Sequence, residues 1–86
     1  MDINSLNLII KEKISQNISC KKIIIEDKTY LHKNHRSHEK NKFHIKLIIK
    51  SDELLKMNRI ESTKTIYKIL DHELKYYIHS IEVLLN

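Results

Sequence analysis

The sequence predicts a single α+β domain over residues 1–86, with element order α-β-β-α-α-β and helices on one face of a three-stranded mixed sheet. Three observations predict it. Apolar residues near the N-terminus recur every three or four positions. Residues 43–50 alternate apolar and polar without a break. A second alternating run closes the chain after a crossover of about 27 residues with helical pattern. A crossover that long lets the second and third strands run parallel, while the first two form an antiparallel hairpin with a wide loop.

Each element follows from its own residues. Ile3, Leu6, Ile10 and Ile14 form one face opposite Lys11, Glu12 and Lys13, which predicts a helix over 2–16. Asn17 is the expected terminator, since Asn tolerates the left-handed conformation. Residues 21–26 are a short β-branched run and predict a strand. The next stretch, DKTYLHKNHRSHEKN, is polar without apolar period and predicts a long loop. In residues 43–50, Phe43, Ile45, Leu47 and Ile49 point one way, and His44, Lys46, Ile48 and Lys50 the other. His44 on that face, like His72 later, reads as a solvent-side residue. Ser51 followed by Asp52 and Glu53 predicts a capped short helix over 52–57. A break falls at 58–61. Ile66, Ile69, Leu70, Leu74 and Tyr77 then predict one helix over 62–76, with Ser62 as a candidate cap. His79, Ile81, Val83 and Leu85 share the parity of a terminal strand.

Composition narrows the function. The chain has no Gly, Pro, Trp or Ala. Without Gly, every Gly-rich phosphate loop and the GxxG nucleic-acid clamp are excluded, and turns at positive φ fall to Asn, Asp or His. The single cysteine, Cys20, rules out an internal disulfide and fits a reducing compartment. It reads as a buried or half-buried thiol at the start of the first strand. No signal-peptide pattern is present, and no apolar run approaches the ~18 residues of a membrane helix. A soluble cytoplasmic protein is expected, with no membrane partner and no small-molecule substrate.

Net charge is +5, and it is concentrated. Residues 21–50 hold nine Lys/Arg against Glu26, Asp27 and Glu39, while residues 51–86 sum to −1. The central segment suits a phosphate backbone or an acidic partner, and equally a solvated Lys-rich face. The predicted helix, break and helix over 52–76 have a helix-turn-helix outline in which Lys56, Arg59, Lys64 and Lys68 could meet phosphates. Asp52, Glu53, Glu61 and Asp71 nearly cancel them, so that footprint is weak.

Histidine is the residue type with most chemical promise. His32, His35 and His38 lie three apart in the polar loop, and imidazole is the commonest ligand for borderline metals. They also read as plain exposed loop residues, or as a metal site of the loop alone. Parallel pairing of the last two strands would bring His79 to the loop's edge of the sheet. His79 reads as a structural histidine or as a ligand, and the two roles are compatible when one nitrogen serves each. One cysteine cannot by itself hold an iron–sulfur cluster or a structural zinc. No Ser/His/Asp, Cys/His or paired-carboxylate arrangement stands out, and Asp27, Asp52 and Asp71 read as a strand end and helix caps. No enzyme is expected.

The stretch from Lys22 to Val83 resembles the BolA family. The resemblance is carried by IIIEDKTYLHKNH, KFHIKLIIKSDEL and TIYKILDHELKYYIHSIEV, and by His32, His35, Ser51 and Ile78-His79 falling in register. It implies a non-enzymatic protein with a fold like a class II KH domain. It also implies pairing with a monothiol (CGFS-type) glutaredoxin and shared ligation of a [2Fe–2S] cluster, with glutaredoxin and glutathione giving thiolates and this chain giving the rest. By position His79 matches the C-terminal ligand and His32 the loop ligand, with His35 second. The family is further linked to DNA binding, transcriptional regulation, stress response and cell morphology. Three departures stand out. The usual Arg-His-Arg before the long helix is Ser62-Thr63-Lys64, the usual His-Phe is Lys42-Phe43, and the usual His-Ala-Leu is His79-Ser80-Ile81. The first weakens the DNA expectation more than the cluster expectation.

Overall fold

The computed structural model describes residues 1–29 and 42–86. Helix α1 spans Ile3–Asn17. The Asp2 carboxylate caps it, accepting from the Ser5 backbone N–H at 2.8 Å, which holds that carboxyl below its ordinary range. Leu6, Ile10 and Ile14 are buried at four-residue spacing, the stripe a helix presents to a core. The helix does not stop through a left-handed residue. No described residue has positive φ, and Ile18 leaves the helix in extended conformation with its side chain buried. Asn17 is the last helical residue, and its side-chain amide donates to the Lys13 carbonyl at 2.7 Å.

Strand β1 (Lys22–Asp27) pairs antiparallel with β2 (Phe43–Lys50), from Lys22 opposite Lys50 to Asp27 opposite Ile45. Strand β3 (Ile78–Leu85) pairs parallel with β2, so β2 is central in the order β1-β2-β3. The bounds of β2 are those its alternation predicts. Cys20 lies just ahead of β1 rather than within it, and is half-buried.

The crossover holds three helices. α2 (Asp52–Leu55) is one turn, capped as expected by Ser51. The Ser51 hydroxyl accepts from Leu54 N–H at 3.3 Å and donates to the Ser19 carbonyl at 2.7 Å, so one buried side chain ties the end of β2 to the α1–β1 connection. α3 (Arg59–Ile69) starts three residues earlier than predicted, because Asn58 is its cap and accepts from Glu61 N–H at 2.9 Å. Ser62 is instead buried inside the helix, donating to the Arg59 carbonyl at 3.0 Å. A turn at Leu70 separates α3 from α4 (Asp71–Tyr76), where the sequence predicts one continuous helix. Leu70 is itself a good helix former, so its residue type does not announce the turn.

The core lies between the helices and one sheet face. Leu6, Ile10 and Ile14 of α1, Leu54 of α2 and Ile66 of α3 join Ile45, Leu47 and Ile49 of β2 in one cluster, with Ile18, Leu70 and Ile78 completing it. By register, the opposite sheet face carries Ile24, Glu26, His44, Lys46, Ile48, Ser80, Glu82 and Leu84.

Candidate ligand site at the sheet end

The parallel pairing settles where His79 sits. The starts of β2 and β3 lie side by side, with Phe43 N–H donating to the Tyr77 carbonyl at 2.9 Å. The end of β1 reaches the same place, since Lys28 N–H donates to the His44 carbonyl at 2.7 Å. Residues 29 and 42, from which the histidine-rich segment leaves and returns, are therefore at the sheet end that carries His79. His32, His35 and His38 lie outside the described residues. So does a metal site of the loop alone.

His79 does not sit on the parity of Ile81. Phe43 faces Ile78 and His44 faces Ser80, so His79 is an extra residue opposite no β2 partner. The bulge takes it out of the alternation that Ile81 and Val83 keep. Its side chain is exposed, and its ring lies 4.8 Å from that of His44, tilted by 49°.

His44 is the residue that sequence reasoning misplaced. It is on the face opposite the apolar side chains of β2, as the alternation says, yet it is only 5% exposed. Its backbone N–H donates to Thr29 Oγ1 at 3.1 Å, and Thr29 is held in turn by the Asp27 carboxylate through its backbone N–H and its hydroxyl. Its Nδ1 is hydrogen-bonded to Ser80 Oγ at 2.6 Å. The sequence did hold a signal for this pair. Aligning the apolar run Ile45-Leu47-Ile49 with Ile81-Val83-Leu85 puts His44 opposite Ser80. His72 is solvent-side as read, with its ring against Tyr76.

Cys20 cannot join this site. It lies beside Ser51 at the far end of β2, and eight strand residues span roughly 25 Å. Burial pushes its thiol pKa up, which disfavours the thiolate that binds metal. The donor character at the His79 end is therefore imidazole, and among the described residues no group of three or more His, Cys, Asp and Glu side chains could hold a metal ion. An exposed imidazole beside two loop ends fits one side of a coordination shell whose thiolates come from elsewhere.

The four cations singled out in the sequence are all exposed. Arg59 lines a groove of about 630 Å³ between the α2–α3 segment and β3, together with Leu55, Met57, Tyr67 and Glu82. Lys64 and Lys68 lie on the next row of α3, about 100° round from Thr63 and Tyr67. Lys56 caps the end of α2. The structure brings Arg59 to the groove and leaves the three lysines off its lining. No helix among the described residues is long and apolar enough to cross a membrane.

These elements make a two-layer α+β domain with a histidine bulged out at one end of the sheet. Comparison with known proteins gives its family. The BolA family model, described as BolA-like protein, matches residues 14–85, and the chain belongs to that family. It is 29% identical over 77 residues to the DNA-binding transcriptional regulator BolA of Haemophilus influenzae, covering 90% of this chain and 72% of that one. Among solved structures, the BolA domain of SufE1 from Arabidopsis thaliana superposes with a TM-score of 0.77 at 23% identity, over 100% of this chain and 93% of the other. BolA1 from Arabidopsis thaliana gives 0.71 at 22% identity, over 90% and 85%. At those identities the likeness is one of fold.

Proposed function

We propose that this chain is a non-enzymatic partner protein that gives imidazole ligands to a [2Fe–2S] cluster held jointly with a monothiol glutaredoxin and its glutathione. The observation that carries the reading is the position of His79. It is bulged out of the ladder, exposed, and at the sheet end where the segment bearing His32 and His35 begins and ends. The only thiol is at the other end of the sheet, so a cluster here must draw its thiolates from a partner. His79 is the first ligand in this reading, His32 the second, and His35 the substitute for His32. Imidazole on one iron raises the potential of such a cluster relative to all-thiolate ligation. The role is in iron–sulfur or iron homeostasis or redox regulation, in the cytoplasm. The test is reconstitution with a monothiol glutaredoxin and glutathione, read by visible circular dichroism. The heterodimer should carry a cluster spectrum distinct from that of the glutaredoxin alone, and His79→Ala should abolish the difference. An unchanged spectrum in that variant sinks the reading.

One observation favours a second reading, DNA-binding regulation of transcription: the Haemophilus relative bears that description. Lys56, Arg59, Lys64 and Lys68 are its phosphate-facing residues. Gel shifts at low salt check it, and absence of any shift ends it.

A further inference from the structure

The bulge that frees His79 also removes the ordinary means of aiming it. A strand residue in register takes its direction from the regular pleat, and the bulge takes His79 out of that pleat. What lies against its ring is His44, at 4.8 Å between centroids. His44 is itself fixed on three sides. The two residues after β1 hold its backbone, the Lys28 N–H donating to its carbonyl at 2.7 Å and Thr29 Oγ1 accepting from its N–H at 3.1 Å. Its ring is buried, and Ser80, the next residue after His79, holds Nδ1 at 2.6 Å. Whichever atom of that pair donates the proton, the bond sets the plane of the His44 ring.

We propose that His44 and Ser80 are positioning residues for His79, presenting its imidazole in one direction at the sheet end; this rests on the cluster-sharing reading and names the residues that tune its ligand. An alanine at position 80 could not make the bond to His44. A hydroxyl on β3 and an imidazole on β2 thus form one device, built on two adjacent strands and not on the loop. Groups hydrogen-bonded to a metal-bound histidine typically matter by about 10–100-fold in metal affinity, and a ring contact such as that of His44 belongs at the low end of that range.

The test uses the full chain reconstituted with a monothiol glutaredoxin and glutathione, with cluster half-life measured against a competing chelator and the visible circular dichroism recorded. Ser80→Ala and His44→Ala should each shorten the half-life by about tenfold or more and alter the spectrum. His44 is buried, so its variant can fail to fold. The Ser80 side chain is exposed, so Ser80→Ala is tolerated by the fold and keeps the test decisive. Thermal melting of the isolated chain separates a loss of fold from a loss of aim. If His79→Ala abolishes the cluster signature while a folded Ser80→Ala leaves half-life and spectrum unchanged, positioning is overturned and the cluster reading stands. If His79→Ala changes nothing, both fall.

Discussion

Cys20 illustrates how much a single side chain depends on its neighbours. Burial pushes the thiol pKa up and the Glu53 carboxylate adds to that, while the Ser51 hydroxyl works the other way. The folded chain therefore keeps this proton to higher pH than the unfolded one. The associated stability is present below the ordinary thiol range and is lost as pH rises through the folded-state value. Alkylation of the native chain by iodoacetamide at pH 8 should be slower than that of the urea-unfolded chain, with its inflection at higher pH. Equal rates in the two states would show that the thiol is not desolvated. Cys20 was legible as a buried or half-buried thiol, and it is half-buried. That it stands at the end of the sheet away from His79 was not, because the separation is set by strand direction and not by residue type.

Between elements, the clearest dependence joins α1 to α4. Lys13 Nζ lies 2.8 Å from both carboxylate oxygens of Glu73, sixty residues away in sequence. Glu73 is 2% exposed and Lys13 37%. Removing the lysine leaves a buried carboxylate without its counter-charge. Such a loss costs 3–5 kcal/mol for a fully buried pair, and about 2–3 kcal/mol here because the lysine is partly solvated. Lys13→Met should lower the stability measured in urea by that amount, while Lys13→Met with Glu73→Leu should recover most of it. A single variant within about 0.5 kcal/mol of the parent would refute the buried-charge account. Neither residue marks itself in the sequence, since both lie in ordinary charged stretches. The same holds for the turn at Leu70, which apolar periodicity runs straight through. Strand β2 is the opposite case. Its alternation is written in eight successive residues and gives its bounds.

At the scale of the whole molecule, charge and shape can be set against each other. The chain carries +5 overall, yet the helical crossover and β3 together are slightly acidic. If DNA binds through the exposed cations of α2 and α3, its affinity should fall steeply with salt. Replacing Lys56, Arg59 and Lys64 together by Ala should reduce the salt slope by about 0.9 for each phosphate no longer neutralised, up to roughly 2.7. A slope unchanged in the triple variant would move the DNA-binding surface elsewhere, the basic segment 21–50 being the next choice. Titration of one duplex across salt concentrations gives the answer. Arg59 also lines the groove beside β3, so its single replacement tests whether the groove takes part.

The sequence alone determined the order of the strands and the helical character of the crossover, though not its division at Leu70, together with the face of β2 that is buried, the cap at Ser51 and the pairing of β2 with β3. Each is local, or follows from a crossover too long for a hairpin. Its family resemblance also held, because the quoted motifs lie in the stretch that the family model matches. Only tertiary structure decided that His79 is bulged out and that His44 is buried beside it; the strand alignment already sets Ser80 opposite His44, and the fold adds the bond between them. The reason is physical. A one-residue register shift changes the environment of a side chain without changing any residue's preference, and the alternation that puts His44 on the outer sheet face does not encode its burial there.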